Sequence, residues 1–87
     1  MPLIYKVFIN ASAEKALKRL PSTDQRRIAA AIASLAIDPL PVGVKKLSGF
    51  QHTHRIRVGN YRIIYELHGR ELIVTVLKIG HRKDIYR

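Results

Sequence analysis

Cysteine is absent from the 87 residues, which excludes disulfides, thiolate catalysis and zinc sites built on sulfur. Acidic side chains are scarce: six Asp and Glu stand against 16 Lys and Arg, a net charge of +10. After the first helical stretches only Asp38, Glu66, Glu71 and Asp84 remain, widely spread. The converging carboxylates of a metal-dependent nuclease are therefore not expected. No apolar run is long enough to cross a bilayer, and Met1-Pro2-Leu3-Ile4-Tyr5-Lys6 lacks the basic start and long apolar stretch of an export signal. The expected compartment is the cytoplasm, with no membrane partner. Repeats, low-complexity tracts, a glycine-rich phosphate loop and a nucleophile triad are also missing.

Apolar residues make up 47% of the chain and run through its whole length, so a single folded domain over residues 1–87 is expected. The positive charge of so short a chain points to a polyanionic partner, nucleic acid or an acidic protein, although solubility alone also favours charge. The excess is uneven. From Lys45 onward there are ten basic and three acidic side chains, and all four histidines fall there.

Leu3 to Ile9 is rich in β-formers and reads as a first strand. Ala13, Ala16, Leu17 and Leu20 fall on one face of a short helix stopped by Pro21. Ser22-Thr23-Asp24-Gln25 has the form of a capping box, which predicts a second helix with the stripe Ile28, Ala29, Ile32, Leu35 and Ala36, ending near Ile37. Pro39 to about Gln51 has no clean periodicity and reads as a loop. From His54 the period becomes two, with Gly59-Asn60 as a hairpin turn; after a turn near Gly69-Arg70, Leu72 to Ile79 reads as a covered central strand. The order βααβββ predicts an α+β domain, a helical hairpin on one face of a largely antiparallel four-stranded sheet.

With a two-residue turn at Gly59-Asn60, Arg57 lies opposite Arg62, and Arg55 shares their face. A solvated sheet face accounts for exposed arginines. It does not account for like charges placed opposite each other, a pairing that destabilises a hairpin unless an anion lies between them. Arginine is also the side chain whose planar fork matches phosphate oxygens. Carrying the alternation through a two-residue turn at Gly69-Arg70 puts Leu77, Ile79 and His81 on the arginine side, at the head of the tail Arg82-Lys83-Asp84-Ile85-Tyr86-Arg87.

RNA cleavage without metal uses the 2′-hydroxyl as nucleophile; the protein must take its proton, stabilise charge on phosphorus and protonate the departing 5′-oxygen. Arg55, Arg57, Arg62 and Arg82 suit the charge, and none of them suits the base, because guanidinium keeps its proton. His81 is the first candidate for proton transfer and Tyr86 the second. Each has a plainer alternative: His81 at a strand end, Tyr86 as a C-terminal anchor. His52-Thr53-His54 could place two imidazoles on one face, but no third metal ligand is evident.

The segment His54-Arg55-Ile56-Arg57-Val58-Gly59-Asn60-Tyr61-Arg62-Ile63-Ile64-Tyr65, with Ile79-Gly80-His81-Arg82-Lys83-Asp84-Ile85-Tyr86, resembles the RelE/ParE toxin superfamily. The early strand, the helical hairpin and the approach Lys45-Lys46-Leu47-Ser48-Gly49 come in that family's order, so the resemblance spans nearly the whole chain. It implies the RelE-like fold and a ribosome-dependent endoribonuclease that cuts mRNA in the decoding site of 16S rRNA. It implies no cofactor. It further implies a cognate antitoxin, in a hetero-oligomeric complex that binds operator DNA through the antitoxin. The catalytic positions it implies are Arg55, Arg57, Arg62, Arg82 and Tyr86, and Lys45, Lys46 and Lys83 are candidates for further phosphate contacts. Where the best-known member has lysines on the second strand this chain has arginines, which moves the expected proton transfer to His81. ParE-like toxins of the same superfamily inhibit DNA gyrase without nuclease chemistry, and a relative that only binds RNA would keep the arginines; both readings stay open on the sequence.

Overall fold

The structure, a computed structural model, describes residues 4–49 and 51–81. Seven elements follow one another: β1 (Lys6–Ile9), α1 (Ala11–Lys18), α2 (Ser22–Ser34), β2 (Lys45–Lys46), β3 (Thr53–Val58), β4 (Tyr61–His68) and β5 (Ile73–His81). The strands form one sheet in the order β1-β5-β4-β3-β2, in which β1 runs parallel to β5 and every other pairing is antiparallel.

The α+β class, the helical hairpin and its placement agree with the expectation; the strand count does not. Five strands are present rather than four, because Lys45 and Lys46 of the expected loop pair with Arg55 and His54. Two residues carry no readable periodicity. The pairing is made by backbone alone and continues where the Leu47 N–H donates to the Thr53 carbonyl at 2.9 Å.

The start of α1 is fixed by Asn10, whose side-chain oxygen accepts from the Ala13 N–H at 2.9 Å. The expected capping box on α2 does not form. Pro21 takes the N-cap position with no side-chain cap, so Ser22 already lies in the helix. Gln25 turns back instead, and its amide donates to the Leu20 carbonyl at 2.7 Å and to the Lys18 carbonyl at 3.2 Å. These bonds occupy carbonyls left open where α1 ends.

Alternation along the strands puts one apolar side chain in two toward the helices. Ile56, Ile63, Tyr65, Val74, Val76 and Ile79 meet Ala13, Ile28, Ile32 and Leu35 in the core, with Val7 and Ile9 packed at its edge. Tyr65 is fully buried and donates its hydroxyl to the Pro39 carbonyl at 2.6 Å. Burial pushes that phenol up to about 12, with the Asp38 carboxylate adding to the shift. Tyr61 donates to Asp24 Oδ2 at 2.9 Å, tying the β3–β4 hairpin to the first turn of α2. That bond is the main reason the Tyr61 phenol titrates above its ordinary value.

Candidate nucleic-acid interface

The β3–β4 turn sets the positions of the arginines. Gly59 has φ +59°, the left-handed region that a two-residue hairpin turn requires, and Val58 pairs with Tyr61 across it. Arg57 then stands opposite Arg62, as the sequence predicts, and Arg55 opposite Ile64. All three arginines lie on the face turned away from the helices. Arg57 is exposed and Arg55 partly so, whereas Arg62 is only 7% exposed. The register places Gly80 of β5 beside Arg62, where no side chain competes for space.

Lys45 pairs with Arg55 and joins the same face. Lys46, opposite His54, points the other way and does not join it. Lys78 pairs with Ile64 and falls in line with Lys45 and Arg55 across the sheet. The sequence reading missed Lys78 for a definite reason. Ile64 pairs with Lys78 but Tyr65 with Val76, so Leu77 is skipped as a bulge residue, and nothing in the sequence pattern marks it.

The same bulge overturns the expected side of His81. Through β5 as far as Val76 the faces are those expected, although the turn is longer, with His68 pairing Ile73 and Leu72 at φ +56°. Beyond Leu77 the parity reverses. Ile79 enters the core and His81 lies opposite Tyr61, the two rings edge to face with centroids 5.8 Å apart. The His81 ring is thus on the helix side, while its neighbour Gly80 adjoins Arg62 on the arginine side. Arg82, Lys83 and Tyr86 lie outside the described residues.

At the far end of the hairpin the His52 and His68 rings stand 5.3 Å apart, and His68 Nε2 lies 3.6 Å from a Glu66 oxygen. Among the described residues no three His, Asp or Glu side chains converge in a metal-binding arrangement. What the arginine face offers chemically is anion binding: three guanidiniums and two ammonium groups within two residue rows of one sheet. Charges this concentrated match a phosphodiester and the extra negative charge it acquires in a transition state.

The family described as the ParE toxin of the type II toxin–antitoxin system parDE matches residues 7–86. The chain belongs to this toxin family. Among curated relatives of this RelE/ParE toxin, Toxin RelE3 of Methanocaldococcus jannaschii is 36% identical over 85 residues, covering 93% of this chain and 94% of the relative. Toxin RelG of Mycobacterium tuberculosis is 33% identical over 88 residues, covering 95% and 97%. The fold is shared with the toxin in the archaeal RelE–RelB complex from Pyrococcus horikoshii, with a TM-score of 0.83, 31% identity and coverage of 93% and 98%. It is also shared with the RelBE2 toxin–antitoxin complex of Mycobacterium tuberculosis, with a TM-score of 0.78, 27% identity and coverage of 91% and 99%. This chain is accordingly a toxin of a toxin–antitoxin system, and its arginine face is carried on the fold that those toxins share.

Proposed function

We propose that this toxin is an endoribonuclease that cuts mRNA during translation, in the cytoplasm, by metal-independent attack of the 2′-hydroxyl on the adjacent phosphate. The observation that carries the reading is the pairing of Arg57 with Arg62 on the face that also bears Arg55 and Lys45, a concentration of cationic forks whose geometry matches phosphate oxygens. Arg55, Arg57, Arg62 and the tail residue Arg82 hold the scissile phosphate and offset its growing charge, with Lys45 and Lys83 on flanking phosphates. Lys46 contributes only from the opposite side of the sheet. Proton transfer falls first to Tyr86. His81 is second, because its ring stands on the helix side against Tyr61.

Similarity to toxins solved with RelB supports a cognate antitoxin, with which the toxin forms a hetero-oligomer that reaches operator DNA through the antitoxin. A second reading has the family match itself behind it, since that family is named for ParE. It makes the chain an inhibitor of DNA gyrase.

Growth assays with Arg62→Ala, Arg82→Ala and Tyr86→Phe, beside mapping of mRNA 5′ ends and a supercoiling assay, test both. The nuclease reading expects codon-positioned cuts, unaffected gyrase and relief of toxicity in all three variants while antitoxin binding persists. Intact transcripts with lost supercoiling activity would replace it with the gyrase reading. A pH profile of single-turnover cleavage for His81→Gln decides the second proton carrier: an unchanged profile removes His81 from the set.

A further inference from the structure

The arginine face is not uniformly polar. Ile64, opposite Arg55, points away from the helices and takes no part in the core beneath them, yet it is only 8% exposed. Leu47, fastened at the sheet edge by its bond to Thr53, and Leu77, the bulge residue, stand with it. Together with Thr53, Glu66 and Lys78 these side chains line a cleft of about 300 Å³. The helices already cover the other face, so this apolar floor is additional to the core that folds the domain.

The cleft begins one row from the paired arginines. On this face Arg57 and Arg62 form one row, Arg55 and Ile64 the next, and Thr53 and Glu66 the one after that. Residues two apart on a strand advance about 6.6 Å, the scale of one nucleotide step along an extended chain. A strand whose phosphate sits on Arg57 and Arg62 therefore carries a neighbouring base over Ile64 and Leu77. The cleft is at the lower end of small-molecule sites in size, suited to one planar ring. Its wall also discriminates. Glu66 opposes an acidic peptide side chain but accepts a hydrogen bond from an exocyclic amino group. Farther across the same face, Phe8 is 51% exposed on β1, an aromatic surface on which a further base can stack.

We propose that the cleft between Leu47, Ile64 and Leu77 receives one base of the RNA, and that Glu66 favours a base bearing an exocyclic amino group over uracil. This deepens the nuclease reading and rests on it. The test uses the full-length toxin and short 2′-O-methyl oligoribonucleotides, which cannot be cleaved, followed by methyl NMR. Cytosine, uracil and abasic versions are compared. The expected result is binding about tenfold tighter for the cytosine oligomer than for the abasic one, with shifts at the Leu47, Ile64 and Leu77 methyl groups. Leu77→Ala should remove most of that difference, and Glu66→Gln should narrow the cytosine-to-uracil ratio while the fold, read from the remaining methyl spectrum, stays intact. Equal binding of base-bearing and abasic oligomers, with shifts near the arginines alone, overturns the base site and leaves the phosphate site standing. Absence of binding by every oligomer overturns both. Cleft shifts caused by a peptide of the antitoxin and by no oligomer overturn it in favour of a protein occupant.

Discussion

The two faces of the sheet are made by the same strands and obey different rules. Toward the helices, Ile63, Tyr65, Val74 and Val76 are fully buried, and each contact there serves stability. On the other face the charged Arg62 is as buried as the apolar Ile64 two residues along, opposite a second arginine. Setting like charges opposite each other does not favour folding, and the proposed role of that face in holding RNA accounts for its composition. The contrast predicts that changes on one face move stability and changes on the other move activity.

The largest break in the comparison should come from Tyr65→Ala, which removes a fully buried ring and its bond to Pro39 and should lower unfolding free energy by about 3–5 kcal/mol in urea titrations. Arg57→Ala, on an exposed position of the opposite face, should leave stability within about 0.5 kcal/mol and slow mRNA cleavage about a hundredfold, measured in a translating extract. A stability loss there comparable to that of Tyr65→Ala would abolish the distinction. Gly59→Ala tests the turn that aligns the arginines. It places a Cβ at φ +59° and 3.3 Å from the Arg27 guanidinium, and should cost about 1–2 kcal/mol by the same titration.

Alkali sharpens the helix side alone. The Tyr65 phenol is raised from 10 to about 12 in the folded protein, so its contribution to stability is complete below pH 10 and is lost as pH rises through 12. Denaturation midpoints should fall across that window, and Tyr65→Phe should flatten the fall. Tyr61 is shifted in the same direction and leaves a residual slope. The smallest effect expected is that of Gln25→Ala, about 0.5–1.5 kcal/mol for the lost bonds to the α1–α2 turn.

Much of the arginine face was legible in advance because it depends on local rules: the Gly59-Asn60 turn fixes its own register, and the register fixes Arg57 against Arg62. The apolar cleft had a signal too. In Tyr61-Arg62-Ile63-Ile64-Tyr65 the second isoleucine breaks the alternation and belongs to neither a solvated face nor the core. Lys78 and His81 could not be placed the same way, since one skipped residue at Leu77 exchanges the two faces for everything after it. The α2 cap failed for a similar reason: two helix starts one residue apart satisfy the same letters, and the contact of Gln25 with the preceding turn selected between them.

By itself the sequence determined the class of fold, the helical hairpin, the arginine pair and the excess of positive charge, because periodicity, turn chemistry and charge are properties of neighbouring residues. Tertiary structure alone decided the edge strand at Lys45–Lys46, the burial of Arg62, the side taken by His81 and the cleft above Ile64. Those depend on backbone hydrogen bonds and packing between segments far apart in the chain, where a bulge of one residue changes every contact downstream without altering the local pattern of side chains.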